Sequence, residues 1–251
     1  MQYGICHLSV VPVRSVADDA SEMVTQLLYG DHFKVLEQRK FWSRIRIAFD
    51  GYEGWVSAKQ FQFITEEAYQ VAEQSENSKF VSDLVSFASA KNDVLIPIPL
   101  GSCVQHTQLV SHIFEGNHTC GIRSREILID TALLYLNSPY LWGGKTPFGI
   151  DCSGFTQMVY KICGYALLRD AHQQATQGEA LSFIEESEAG DLAFFDNNEG
   201  VIDHVGIIMQ NNYVVHCHGK VRIDRIDHTG IFNTETRNYT HKLRVIKKII
   251  P

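Results

Sequence analysis

The 251-residue sequence contains no run approaching the roughly 18 consecutive apolar residues of a membrane-spanning helix. Its start, "MQYGICHLSVVPVRSVADDASE", has no basic stretch leading into a sustained apolar core, so a soluble, unexported chain in the cytoplasm is the expectation. Long runs of Lys and Arg are also missing, and the formal net charge is -7. Electrostatic binding to nucleic acid or an anionic membrane needs a basic surface, so neither is expected as a partner. Six cysteines (Cys6, Cys103, Cys120, Cys152, Cys163, Cys217) are scattered without CxxC spacing, which reads as reduced thiols rather than a disulfide framework. Low-complexity tracts are absent. What is present is ordinary globular composition, 45% hydrophobic, in a chain long enough to bury a sizeable core.

Residues 1–66 alternate short strand-like runs with turn signals. "VVPVRS", "DHFKVLEQ", "WSRIRIAF" and "YEGWVS" are rich in β-branched and aromatic residues, and the last two are joined through Asp50-Gly51, a hairpin signal. They predict a small barrel. Residues 67–123 open with a helical stretch at "EEAYQVAEQ" and continue with short strands in "DVLIPIPLGSCV" and "SHIFEGNHTCGI", which suits a linker and a second, divergent β unit. From 124 to 251 the texture changes. Ser124 caps a helix with Ile127, Leu128, Ala132, Leu134 and Tyr135 as its apolar face, and a second helix follows at "SGFTQMVYKICG", stopped by Gly164. The strands "GDLAFF", "DHVGIIM", "NYVVHCHG" and "KLRVIKKII" come after. Helices first and strands later describe an α+β domain with an antiparallel sheet.

The stretch "FGIDCSGF" raises the functional question, because Cys152 fits three descriptions: a buried small hydrophobe, a metal ligand or a nucleophile. Its predicted place in the first turn of the second helix favours the thiolate through the helix dipole. Ser153 can turn its hydroxyl or amide toward an oxyanion, and Asp151 is suited to cap the helix. The base candidate is His204, at the start of an otherwise apolar strand. If a three-residue loop joins this strand to the next, Met209 pairs with Tyr213 and His216 sits opposite Gly206, diagonal to His204 on one face. A loop of two or four residues separates the two rings. Zinc on His216 and His218 is the competing chemistry, but no third and fourth ligand stand out, and no metal or cofactor is expected.

"PYLWGGKTPFGIDCSGF", followed by "DHVGI" and "VVHCHGKV", resembles the catalytic signature of NlpC-type murein peptidases, papain-like cysteine peptidases of bacterial cell-wall peptides. The resemblance covers about half the chain. It implies that Cys152 is the nucleophile, His204 the general base and then acid, and His216 the polar residue holding the His204 ring. It also implies that the Tyr140 hydroxyl lies near the oxyanion site. The preceding SH3-like barrel resembles the arrangement in γ-D-glutamyl-L-diamino-acid endopeptidases, which release L-Ala-γ-D-Glu from murein peptides with a free amino terminus. By that resemblance Glu22, Tyr52 and Asp170 recognise the L-Ala ammonium, a group whose burial calls for carboxylates and a hydroxyl. Plainer readings stand beside these: Glu22 as an exposed charge in a first helical turn, Tyr52 as barrel core, Asp170 as an N-cap.

The resulting expectation is an α+β papain-like peptidase domain over 124–251, preceded by one SH3-like barrel over 1–66 and a divergent second one within 67–123. Its function would be cofactor-free cysteine endopeptidase activity on murein stem peptides in recycling. Two rivals are an exported hydrolase of intact wall, with wall-binding barrels, and a murein-peptide binding protein without turnover. Oligomeric state and the choice between diaminopimelate and lysine are not legible in the sequence.

Overall fold

The computed structural model describes residues 1–75, 77–197 and 199–250. Contacts divide the chain into two compact units, Met1–Ile122 with Trp142–Pro147, and Arg123–Leu141 with Phe148–Pro251. Among the described residues no helix is long and apolar enough to cross a membrane.

The first unit is built on seven antiparallel strands: β1 (Gln2–Ile5), β2 (Val10–Arg14), β3 (Met23–Leu28), β4 (His32–Gln38), β5 (Trp42–Ile47), β6 (Glu53–Ser57) and β7 (Gln62–Ile64). They lie in the order β3-β2-β6-β5-β4-β1-β7. Period-2 alternation turns Val11, Val13, Phe33, Val35, Ile45 and Ile47 into a common core with Leu27, Val56 and Phe61. The expected turn at Asp50-Gly51 is present: Gly51 adopts φ +72, and the Asp50 carboxylate accepts from the Tyr52 amide at 3.0 Å. Gly54 is required by close approach, since a Cβ there would meet Val13 Cγ1 at 2.5 Å.

Helix α1 (Glu66–Glu73) follows, capped by Thr65 Oγ1, which accepts from the Ala68 amide at 3.2 Å. Residues 80–119 form two separate ladders, β8 (Phe80–Val81) with β11 (His118–Thr119) and β9 (Val85–Ser89) with β10 (Leu95–Pro99). Val81, Ala88, Ile98, Val104 and Val110 share one core with Ile5 and Tyr29, so this region folds onto the first barrel. A short strand, β12 (Lys145–Thr146), also belongs to the unit; the Lys145 amide donates to Gln26 Oε1 at 2.8 Å.

The second unit begins with α2 (Arg125–Leu133), whose N-cap is Ser124. Its buried stripe is Leu128, Thr131 and Ala132, continued by Tyr135, whereas Ile127 and Leu134 are 44% and 45% exposed. The broad apolar face expected from sequence is therefore narrower, because residues at i, i+3, i+4 and i+7 alone meet the next helix. After β13 (Gly149–Ile150) comes α3 (Cys152–Ile162), all eleven of whose residues are buried. Gly164, at φ +85, follows its C-cap as the sequence predicts.

Helix α3 packs against α2 and against an antiparallel sheet of β14 (Glu179–Leu181), β15 (Leu192–Asp196), β16 (Ile202–Met209), β17 (Tyr213–His218), β18 (Lys220–Ile226), β19 (Gly230–Asn233) and β20 (Asn238–Lys248). β20 carries β15 on one edge and β19 and β14 on the other, which closes β15–β20 into a six-stranded barrel. Bulges at Phe194/Phe195, Phe195/Asp196 and Ile231/Phe232 supply the twist that closure needs. Ala193, Phe195, Ile208, Val214, Ile226, Ile231 and Ile246 pack inside. Phe155 of α3 is fully buried, edge-on to Tyr135 with ring centroids 5.8 Å apart. Phe155→Ala is expected to cost about 3–5 kcal/mol in urea unfolding; a loss under about 1 kcal/mol would mean that α3 does not centre the core of this unit.

Candidate active site

Cys152 occupies the first turn of α3 and is 7% exposed. Asp151 caps the helix as expected, its Oδ1 accepting from the Gly154 amide at 2.6 Å. It also does something the sequence reading missed. Arg169, 1% exposed, grips the same carboxylate with two bonds, Nη1 to Oδ1 at 3.0 Å and Nη2 to Oδ2 at 2.6 Å. Arg169 Nη1 reaches the Ser153 hydroxyl as well, at 2.9 Å. That hydroxyl accepts from Arg169 and donates toward Asp151 Oδ1 at 3.4 Å. Gln174, fully buried, ties the same turn down by donating to the Ser153 and Leu168 carbonyls, both at 2.9 Å.

The thiol pKa is raised and not lowered. Burial, then the neighbouring Asp151 charge, push Cys152 up to about 12, against amide donors of Val205 and Ser153 and the Arg169 guanidinium. At neutral pH the resting group is a thiol, and its sulfur lies 3.8 Å from the Asp203 carbonyl, next to His204 in the chain. Tyr140, 39% exposed, is raised to about 12 by burial and by nearby Cys152, so it stays a hydroxyl donor. Cys217 points to the other face of its strand and donates to the Ile150 carbonyl.

The hairpin between β16 and β17 has the three-residue loop: Met209 pairs with Tyr213 and Gly206 with His216. His204 and His216 therefore share a face, and His204 Nε2 lies 2.9 Å from His216 Nδ1. The register continues into β18, where His216 pairs with Arg222, so Asp224 is diagonal to His216 on the same face. Asp224 Oδ2 sits 3.0 Å from His216 Nε2 and 2.7 Å from Arg222 Nε. A carboxylate accepts only, so His216 carries its proton on Nε2 and accepts at Nδ1 from His204 Nε2–H. The free lone pair of His204 is then on Nδ1, the form a general base needs. Asp224 was not singled out from sequence, although following the period-2 pattern one strand further through "KVRIDRI" would have found it.

His241, from β20, was also missed; its ring stacks on His204 with centroids 4.0 Å apart. His204, His216 and His241 each offer a ligand atom, all within 4.8 Å of one another, so the set able to hold a metal runs through His241 and not through His218, which is exposed.

The remaining sequence candidates are placed as follows. Glu22 is exposed just before β3, on a strand hairpin and not in a helical turn, and its Oε1 accepts from the Trp142 indole at 2.7 Å. Tyr52 is half-buried against the barrel core. Asp170 is the half-buried N-cap of α4 (Ala171–Gln174), its amide donating to Gln173 Oε1 at 3.1 Å.

Burial lowers His204 well below its ordinary 6.5 and lowers His216 as well, the latter against the pull of Asp224. Unfolding lets both rings take up protons below about pH 6.5, so their contribution to stability is complete above that value and lost as pH falls through it. Unfolding free energies from urea titration are expected to drop from pH 7 to pH 5 by up to about 1.4 kcal/mol per pH unit for each ring. His204→Gln is expected to flatten that slope, and an unchanged slope would contradict the burial of neutral rings.

Comparison with known proteins gives two family matches. Residues 137–240 match the NlpC/P60 family, and residues 13–61 match the bacterial dipeptidyl-peptidase Sh3 domain. A gamma-D-glutamyl-L-lysine dipeptidyl-peptidase of Bacillus subtilis is 41% identical over 93 residues, 36% of this chain and 31% of that protein. The match thus spans under a third of that relative. A gamma-D-glutamyl-L-lysine dipeptidyl-peptidase of Bacillus cereus is 25% identical over 231 residues, 79% of this chain and 68% of its own length. The crystal structure of an NlpC/P60 family protein from Bacillus cereus shares the fold at a TM-score of 0.83, 19% identity, covering 99% of this chain and 100% of that one. A bacterial dipeptidyl-peptidase Sh3 domain over residues 13–61 thus precedes an NlpC/P60 domain over residues 137–240, the stretch that contains Cys152, His204 and His216.

Proposed function

We propose that the protein is a cysteine endopeptidase that cuts the bond between γ-D-Glu and the diamino acid of murein stem peptides with a free N-terminal L-Ala, in the recycling of wall-derived peptides inside the cell. The observation that carries the chemistry is the buried chain from Asp224 through His216 to His204, which fixes the base tautomer beside the carbonyl that Cys152 contacts. In this reading His204 Nδ1 takes the thiol proton as Cys152 Sγ attacks the γ-carbonyl carbon. A thiol held in its neutral form makes that transfer part of the attack. The Tyr140 hydroxyl and the Ser153 amide stabilise the oxyanion, His204 returns the proton to the leaving amine, and water releases L-Ala-γ-D-Glu from the acyl-enzyme.

The substrate assignment draws on the names of the Bacillus relatives and on the acid–phenol set Glu22, Tyr52 and Asp170. Trp142 holds the Glu22 carboxylate by its indole N–H, which suits a fixed ammonium acceptor. The test is mass spectrometry of products from L-Ala-γ-D-Glu-meso-diaminopimelate, from its N-acetylated form and with Cys152→Ala. Release of L-Ala-γ-D-Glu from the free peptide alone, by wild type alone, is expected. Glu22→Ala and Asp170→Ala are each expected to lose about 10- to 100-fold in kcat/KM on the free peptide. Equal cleavage of the acetylated peptide would remove the ammonium assignment, and cleavage of neither would favour a binding protein.

A further inference from the structure

We propose that His204, His216 and His241 form a binding site for a divalent transition-metal ion of the zinc type, and that occupancy of this site switches the peptidase off. The three rings each bring a ligand atom to within 4.8 Å of the others. Zinc–nitrogen bonds of about 2.0–2.1 Å set tetrahedral ligands about 3.3 Å apart, so the rings must close in by about 1.5 Å at most.

The hydrogen bonds around the cluster are those of a prepared site. His216 gives its Nε2–H to the Asp224 carboxylate, which leaves Nδ1 as a lone-pair donor in the carboxylate–histidine arrangement that orients metal-bound imidazoles. His241 has Thr240 Oγ1 2.9 Å from its Nδ1. With the hydroxyl proton toward the Ile231 carbonyl, 3.5 Å away, Oγ1 accepts from His241 Nδ1–H and leaves Nε2 to coordinate. His216 already holds the tautomer a metal requires, and His241 reaches it with that hydroxyl orientation. The His241 ring is part-exposed, beside exposed His218 with centroids 4.9 Å apart, which gives an ion a route in.

His204 is the ring that must change. In the metal-free site its Nε2–H is donated to His216 Nδ1. To coordinate, Nε2 releases that proton to water and Nδ1 takes one up, with no net proton exchanged; three waters of the aquo ion are replaced by three nitrogen lone pairs. Nδ1 then carries hydrogen and cannot accept the proton of Cys152. For its effect on turnover the inference rests on the base role proposed for His204; the binding itself does not.

The experiment titrates the purified full chain with Co²⁺ and Zn²⁺ alone, by absorption spectroscopy and calorimetry, and follows peptide cleavage with Zn²⁺ and after chelation. One ion per chain is expected, with a tetrahedral cobalt spectrum lacking sulfur-to-metal charge transfer. Binding is expected to survive Cys152→Ala, to weaken at least about tenfold in His241→Gln and to weaken about 10- to 100-fold in Asp224→Asn. Cleavage is expected to stop with zinc and return with chelator. Absence of stoichiometric binding, binding unchanged in His241→Gln, or loss of binding in Cys152→Ala would each overturn the site. Should His241→Gln not fold, the wild-type cobalt spectrum decides, because a sulfur charge-transfer band would assign the ion to the thiol. Metal binding without any peptidase turnover would instead count against the proposed activity.

Discussion

The buried hydrogen-bonded chain from Asp224 through His216 to His204 is the constraint on which the rest of the catalytic unit is arranged. These side chains project from β16, β17 and β18 on the same face as Ile208, Val214 and Ile226, with Arg222 and His241 beside them. Unpaired polar groups there would be costly to desolvate, so the three pair with one another and Asp224 also accepts from Arg222. They do so in one order only. The carboxylate, which accepts, fixes the proton of His216; that proton fixes the acceptor on His216; and that acceptor fixes the proton on His204. Gly206 makes the arrangement sterically possible, since a Cβ at that position would meet the His216 Cβ at 3.0 Å and Val214 Cγ2 at 2.7 Å.

A second buried ionic element secures the other half of the site. Asp151 and Arg169 are 6% and 1% exposed, and their bidentate pair joins the N-terminus of α3 to the segment before α4. Such pairs contribute little net stability when compared with apolar packing, but removing one partner strands the other. Their value here is geometric. The carboxylate satisfies the Gly154 amide in the first turn of α3 while Arg169 offsets a negative charge that would otherwise oppose formation of the Cys152 thiolate. His204 and His216, the pair proposed to relay the proton, also lie within chelating reach of His241, and neutral imidazoles with fixed tautomers suit both tasks.

The amino-terminal unit follows different physics. Its barrel is an alternating-strand fold with one continuous core, extended by the second group of strands through Ile5 and Tyr29. Glu22 and Tyr52 stand at hairpin connections, Glu22 exposed and bonded to the Trp142 indole, Tyr52 half-buried against the core.

The sequence by itself determined the elements whose cause is local. The cap at Asp151, the helix stop at Gly164, the Asp50-Gly51 turn and the period-2 strands that carry His204 and His216 all follow from backbone preference and hydrophobic spacing. Cys152, His204 and His216 were legible as candidates for the same reason, given the three-residue loop that sets their register. Tertiary structure decided what depends on partners far apart in the chain. Arg169 reads as an ordinary surface charge until Asp151 is found against it, and His241 comes from a strand 37 positions after His204 that only barrel closure brings alongside. The thiol's raised pKa was also decided there, since burial depends on the whole packing around Cys152 and a helix-start position in the sequence does not reveal it.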